Sequence, residues 1–420
     1  MTAEPHSRDH DLRELLRRAR AVARCLRLLP GPQKNAFLQA VAAALLDGHE
    51  AVLQAAQNDA AHARAHGASE AVAAGIALTR ADLEGKVRLA GTLAGLPDPI
   101  GRVESTWIRP NGLKIEKTRV PLGVVAVLAE SDVGAVIDAL LLCAKAGDAV
   151  VLCAGPMIIR TCTALSRVLS AVSLSAKSPV GSLCLVPGHD DASRRLLVSD
   201  RAAVDVAIPV GSPSWVQGIV AVSRVPILGQ TERGHHLFLD EDADPAMASA
   251  LVLDLAHGAA AGDGPCRVLV HSAVAASLLP ALAAALRDGL LGFEAAGAAA
   301  ALLQPERWSP PGAGPGAAPA LHLELVDGVD QAAALVGEHG PGLSAGVVTN
   351  NRAVATRFAA LVDAPCVYLN ASSRFTDGGQ FGMGAQITVS TGRLHARGPV
   401  AIDELTTTKY VVTGKGQTLE

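Results

Sequence analysis

The sequence predicts an α/β protein of two lobes, each built on a parallel sheet, and three observations support this. Continuous apolar runs of strand length, such as residues 123–129 and 149–153, alternate with helical patterns from there onward. Strands buried on both faces between helices mean a parallel sheet. The length of 420 residues exceeds one ordinary core. A separate pattern closes the chain: residues 387–391 and 406–412 alternate β-branched with polar side chains, as strands at a sheet edge do.

In order, residues 12–96 read as amphipathic helices, with Leu15, Leu16, Val22, Cys25, Leu26, Leu28 and Leu29 at helical spacing and arginines on the other face. Pro30, Gly31 and Pro32 break the first helix. A second covers residues 35–56, and a third begins near Thr79 with Asp82 and Glu84 in its first turn, where negative charge suits the helix dipole. Strand character begins after Arg109 and Pro110, over residues 113–119. Then strands at 123–129, 149–153, 182–186 and 204–208 alternate with helices at 134–146, 157–172, 192–198 and 215–222. A second α/β region opens at 237–240. It continues with helix 247–256, strand 267–270, helix 273–286, strand 321–325, helix 331–336, strand 346–349 and helix 353–362, and a short buried strand ends it at 367–370. Prolines on both sides of Gly312 and Gly314 forbid a helix start there, so that stretch is expected to be a surface loop. Lys145 and Lys114 read as solvated charges.

Half of the residues are apolar but only 3% are aromatic, so alanine, valine and leucine must fill the core. Lys plus Arg number 36 against 40 Asp plus Glu, which gives no electrostatic ground for nucleic acid or an acidic membrane surface as partner. A small anionic substrate needs only local positive charge. Seven cysteines, Cys25, Cys143, Cys153, Cys162, Cys184, Cys266 and Cys366, are scattered without a C-x-x-C pair. That pattern points to a reducing cytoplasm and away from disulfides or a metal site. His6, Arg8, Asp9, His10 and Asp11 interrupt any apolar signal-peptide core. The longest uncharged run, residues 268–286, holds His271 and Pro280 and reads as a strand and a core helix, not a membrane span.

The most unusual stretch is residues 370–386 (NASSRFTDGGQFGMGAQ), where Gly378, Gly379, Gly382, Gly384 and, further on, Gly398 mark backbone that turns sharply or approaches another group closely. On spacing alone it is a loop between strands. Together with residues 109–123 (RPNGLKIEKTRVPLG), Glu130 and Ser131, residues 138–147 and residues 240–244 (DEDAD), it resembles the glutamate-5-semialdehyde dehydrogenases. These are also called γ-glutamyl phosphate reductases and form a branch of the aldehyde dehydrogenase superfamily. The resemblance implies an aldehyde-dehydrogenase-like fold. A cofactor-type lobe would comprise residues 1–107 and 120–236, a catalytic-type lobe residues 237–385, and a bridging arm residues 108–119 with 386–420. It also implies NADP as cofactor and a homodimer or tetramer joined through the arm.

In the resembled family a cysteine thiolate attacks the acyl phosphate, phosphate leaves, and NADPH reduces the thioester. Cys266 is the cysteine in the corresponding region. Aligned on Leu269, Val270 and His271, however, Gly262 or Asp263 takes the nucleophile's place, and three residues of extended chain span on the order of 10 Å, more than near-attack geometry tolerates. A compensating loop deletion would restore Cys266; otherwise it is a small buried cysteine at a strand start.

Other positions depart as well. Asp132 follows Glu130 and Ser131 where the family has an arginine suited to an anionic substrate. Residues 153–156 (CAGP), which include Gly155, replace Arg-Gly-Gly-Ser in the loop that meets the cofactor. Residues 208–212 (IPVGS) put Val210 at an arginine position and retain Gly211. His235 replaces the cysteine of an Asn-Cys-His run, with His236 matching its histidine. Gln386 holds the place of a glutamate expected on the nicotinamide ribose. The two histidines are expected to pack and hydrogen-bond, having no cysteine or serine partner. Arg374, Asp377 and Arg397 are expected to brace the glycine turns and the subunit contact.

Two readings follow. The first is a family member with a degraded catalytic constellation, weakly active or non-catalytic, partnering a true reductase or glutamate 5-kinase. The alternative is an active NADP-dependent reductase of γ-glutamyl phosphate or a related acyl substrate, using Cys266.

Overall fold

Capping residues and glycines set where the N-terminal helices begin and end. The computed structural model describes residues 5–175, 184–186, 190–229, 234–261, 264–311, 321–340 and 342–419. In α1 (Pro5–Leu26) the buried Leu12, Leu16, Ala19, Ala23 and Leu26 recur every three or four residues, one stripe of a helix. The expected single helix over 35–56 is two, α2 (Gly31–Asp47) and α3 (His49–Ala65), bent by 68° about Gly48. A Cβ at Gly48 would lie 2.9 Å from Val168, which is why the chain turns on a glycine there. After α4 (Glu70–Ile76), α5 (Arg80–Gly95) opens on a capping box: the Asp82 N–H donates to Thr79 Oγ1 at 3.2 Å and the Thr79 N–H to Asp82 Oδ2 at 2.8 Å.

Strand structure begins earlier than expected, with β1 (Val103–Ile108) paired antiparallel to β2 (Lys114–Pro121). Every residue of β1 is exposed, so burial left no apolar pattern in it. The readable sign was the turn, with Gly112 at φ +84° and the Leu113 N–H on Asn111 Oδ1.

Then follow β3 (Val124–Ala129), α6 (Val133–Ala146), β4 (Ala149–Ala154), α7 (Ile159–Ser175), β5 (Cys184–Leu185), α8 (Asp191–Ser199), β6 (Val206–Val210) and α9 (Pro213–Val222). Their strands form a parallel sheet in the order β5-β4-β3-β6. All of β3 and β4 is buried, as helices on both faces require. Lys145 is not solvated: it is fully buried near the end of α6, where it reaches Asn35 of α2 and the Leu96 carbonyl beyond α5. Lys114 is half exposed, with its ammonium 2.8 Å from Glu116.

The second region comprises β7 (His235–Leu239), α10 (Pro245–Ala261), β8 (Cys266–His271), α11 (Ser272–Asp288), β9 (Phe293–Ala295), α12 (Ala298–Leu302), β10 (Arg307–Trp308), β11 (Leu321–Val326), α13 (Val329–Glu338), β12 (Ser344–Val348), α14 (Arg352–Leu361) and β13 (Cys366–Leu369). The sheet order is β10-β9-β11-β8-β7-β12-β13, parallel except for β10 at the edge. On one face Leu237 and Val268 pack with Val252, Leu255 and Leu279; on the other Phe238 and Leu269 pack with Val336 and Phe358. Gly312 and Gly314 lie outside the described residues.

A short ladder of β14 (Val389–Ser390) and β15 (Gly398–Pro399) precedes β16 (Thr406–Thr413), which pairs antiparallel along all of β2. The resulting sheet, β1-β2-β16, carries Trp107 edge-on to Tyr410 at 6.1 Å. The chain divides into one unit of residues 1–229 with 382–420 and another of residues 230–381. Strands β1, β2 and β16 all fall in the first unit. Among the described residues no single helix is long and apolar enough to cross a membrane.

Candidate functional site

In the first unit β4 and β5 lie to one side of β3 and β6 to the other, so the strand order reverses between β3 and β6. The crevice beyond the carboxyl ends of such strands is where α/β sheets bind ligands. Glu130 follows β3, Gly155 follows β4 and Gly211 follows β6. A Cβ on Gly155 would fall 2.2 Å from the Glu130 backbone oxygen, and one on Gly211 would fall 2.7 Å from Glu130 Oε2 and 2.8 Å from Trp215. Two of the three expected cofactor-binding residues thus meet around one glutamate. Glu130 Oε2 accepts the Ser212 N–H at 2.6 Å, at the start of α9. Asp132 Oδ1 accepts the Ala135 N–H at 2.9 Å and caps α6. The aspartate in the family's arginine position therefore has a local structural role. Gly155→Ala is expected to destabilise by about 1–3 kcal/mol in urea unfolding. Gly91→Ala, in open space within α5, should stabilise by about 0.5–1 kcal/mol.

Helices α8 and α9 border a groove of about 220 Å³ lined by Asp191, Arg194, Arg195, Val198, Trp215 and Ile219. Arg194 hydrogen-bonds Asp191 and holds that carboxyl below its usual pKa. The sequence signal for these arginines was the charged face of α8, where Asp191, Arg194 and Arg195 fall within two turns. Gln386, the third expected cofactor residue, is half-buried in the segment that packs Gly384 against Leu93 and Leu96.

In the second unit Cys266 is the first residue of β8, in register with His235 on β7, which is in register with Ser344 on β12. Cys266 is 0% exposed and belongs to the apolar cluster under α10 and α11. Its Sγ lies 3.5 Å from the Gly264 carbonyl and 3.9 Å from that of Leu255. His235 does have a serine partner: Nδ1 lies 2.7 Å from Ser344 Oγ, both residues buried. The two are 109 residues apart in sequence, so only the strand register brings them together. His236 Nε2 donates to the Gly340 carbonyl at 3.0 Å. Burial, opposed by that hydrogen bond and reinforced by Arg267, His339 and His235, lowers the His236 pKa to about 4.

Gly262 and Asp263, the place implied for the nucleophile, lie outside the described residues. Among the other thiols Cys153 and Cys162 are pushed up by burial to about 11 and about 12, which disfavours the thiolate at neutral pH. Arg374 and Asp377 act as braces. Arg374 Nη1 donates to Asp254 Oδ1 at 2.8 Å, and Asp377 Oδ1 accepts the Gly379 and Gln380 N–H groups at 2.8 and 3.0 Å.

No protein-family model matches the chain. Curated proteins match it over nearly its full length. The γ-glutamyl phosphate reductase of Afipia carboxidovorans is 38% identical over 413 residues, 96% of each chain. That of Thermobifida fusca is 36% identical over 419 residues, 97% of this chain and 98% of the relative. The chain belongs to the γ-glutamyl phosphate reductase family. The crystal structure of γ-glutamyl phosphate reductase from Thermotoga maritima matches at a TM-score of 0.91 and 28% identity, over 97% of this chain and 100% of that one. An acetylating aldehyde dehydrogenase from Geobacillus thermoglucosidasius, 17% identical with a TM-score of 0.66 over 98% of each chain, shares the fold. The fold is therefore aldehyde-dehydrogenase-like, and membership in the γ-glutamyl phosphate reductase family extends through the N-terminal helices, where the sequence alone showed only helical character.

Proposed function

We propose that the chain is a cytoplasmic reductase of γ-glutamyl phosphate, or of a closely related acyl phosphate, acting with NADPH. The observation behind this reading is 36–38% identity, over nearly the whole chain, to proteins named for that activity. The groove between α8 and α9 fits part of the cofactor. Trp215, Val198 and Ile219 offer apolar walls to a flat heterocycle, and Arg195 offers a guanidinium group to the phosphate that distinguishes NADP from NAD, with Arg194 beside it paired to Asp191. Gly155 and Gly211 let Glu130 pack against the turns that follow β4 and β6. Bound there, the cofactor would supply hydride. Arg195→Ala is expected to raise KM for NADPH about tenfold and leave KM for NADH nearly unchanged, in steady-state assays.

A second reading rests on the burial of Cys266. A thiol with no exposed surface reaches an acyl carbon only if the start of β8 opens. If it stays closed, the chain is weakly active or non-catalytic. It would then serve in a homodimer or tetramer, or beside a true reductase or glutamate 5-kinase, using the exposed arm strands. The test is phosphate-dependent reduction of NADP by glutamate 5-semialdehyde, with Cys266→Ala and iodoacetamide mapping alongside. The reductase reading expects turnover, a loss of about a thousandfold or more in the variant, and early alkylation of Cys266. Turnover that survives in Cys266→Ala assigns the chemistry to another group, and absence of turnover in the folded chain leaves the second reading.

A further inference from the structure

We propose that a groove between α3 and α7, in the first unit, binds an elongated organic dianion. The groove encloses about 510 Å³, within the range of small-molecule sites. It exists because α3 places alanines, Ala51 and Ala55, opposite Ala164 and Val168 of α7, where larger side chains would close the gap. Further along α3, Ala56, Ala60 and Ala63 are buried.

The charges are arranged for two anionic ends. Arg160 and Arg167 both line the groove, and seven residues of helix separate them by about 10 Å along the axis. Arg160 is held in place from behind. The fully buried Asp59 accepts Arg160 Nη1 at 3.1 Å on one oxygen, and the Thr161 N–H and hydroxyl at 2.8 and 2.7 Å on the other. The Arg160 side chain nonetheless stays 46% exposed, so guanidinium donors remain available to a ligand. Arg167 is exposed and forms no ion pair among the described residues. No carboxylate lines the groove, in a chain whose net charge is −4. Thr163 and the carboxamides of Gln54 and Asn58 also line the groove, and Gln54 Nε2 donates to Asn58 Oδ1 at 3.3 Å. One carboxylate would engage one arginine; two carboxylates joined by an apolar chain would engage both and cover the alanine floor.

The test is calorimetric titration of the full chain with octanedioate, whose extended length is comparable to the arginine spacing, against octanoate and 1,8-octanediol. Octanedioate should bind one to one, with octanoate at least about tenfold weaker and the diol weaker still. Raising the salt concentration should weaken the dianion most. Arg167→Ala should weaken octanedioate about tenfold, and Ala55→Leu should remove binding by filling the floor. NADPH affinity should stay unchanged in both variants. Equal affinity for octanedioate and octanoate, no loss in Arg167→Ala, or no binding at about 10 mM would each overturn the proposal. Arg167 is exposed and structurally unengaged, so its variant tests the site even if Ala55→Leu disturbs helix packing.

Discussion

Lys145→Ala is expected to destabilise the first unit by about 3–5 kcal/mol, and Lys145→Met by only about 1–3 kcal/mol, in urea unfolding. Lys145 has no exposed surface. Its Nζ donates to Asn35 Oδ1 at 2.7 Å and to the Leu96 carbonyl at 2.6 Å, with the Ala94 carbonyl further away at 3.4 Å. Those carbonyls close α5, where a helix leaves acceptors without internal partners and where a cation suits the dipole. One side chain of α6 therefore ties down α2 and the end of α5. Alanine would remove both the hydrogen bonds and the packed methylenes, leaving a cavity beside orphaned acceptors. Methionine would keep the volume and discard the charge. Burial lowers the lysine's pKa, Asp98 opposes that shift, and the nearby Lys34 adds to it. Both variants discard the charge, which relieves desolvation and repulsion while it gives up the donors; the methionine variant should lose less because it alone keeps the volume. Equal losses in the two variants would show that the hydrogen bonds account for the whole effect and that the cavity adds nothing.

The same lysine shows where the sequence stopped being legible. A charge near the end of an apolar helix looks solvated until α2 and α5 are placed around it, and nothing local in residues 133–146 announces that neighbour. Elements with a strong local signal were readable: the wholly buried strands β3 and β4, the helix start near Thr79, and the alternating residues of β16. Strand β1 was not, because no face of it is buried, and the Gly48 break was not, because its cause is Val168, 120 positions away in the numbering. For the site, Gly155 and Gly211 were reached through the family resemblance of their loops. That both are shaped by Glu130 required the sheet order. The pairing of His235 with Ser344 required strand register, which spacing in sequence does not encode.

The second unit is expected to lose about 3 kcal/mol of stability as the pH falls from about 6.5 to about 4 through His236 alone. In the unfolded chain an ordinary histidine titrates near 6.5, whereas in the fold burial holds His236 at about 4. Between those values the unfolded state binds a proton that the folded state refuses, so stability falls as the pH drops and levels off below about 4. The groups around the ring favour this direction. Arg267 stands in register beside it, His339 stacks on it at 6.4 Å, and His235 precedes it; all three disfavour a second positive charge. The Gly340 carbonyl, which accepts from Nε2, is the one opposing influence. Half-exposed His322, also depressed by burial and by Arg267, adds a smaller effect of the same sign. Because the chain has two units, a single unfolding curve would mix them. Replacing Trp107 and Trp215 by phenylalanine leaves Trp308 as a fluorescent reporter of the second unit. In that background His236→Gln, which keeps a donor for Gly340 but does not titrate, should flatten the urea midpoint between pH 7 and pH 4.5. An unchanged acid slope in that variant would mean that His236 already accepts its proton in the fold, and that the acid sensitivity arises elsewhere.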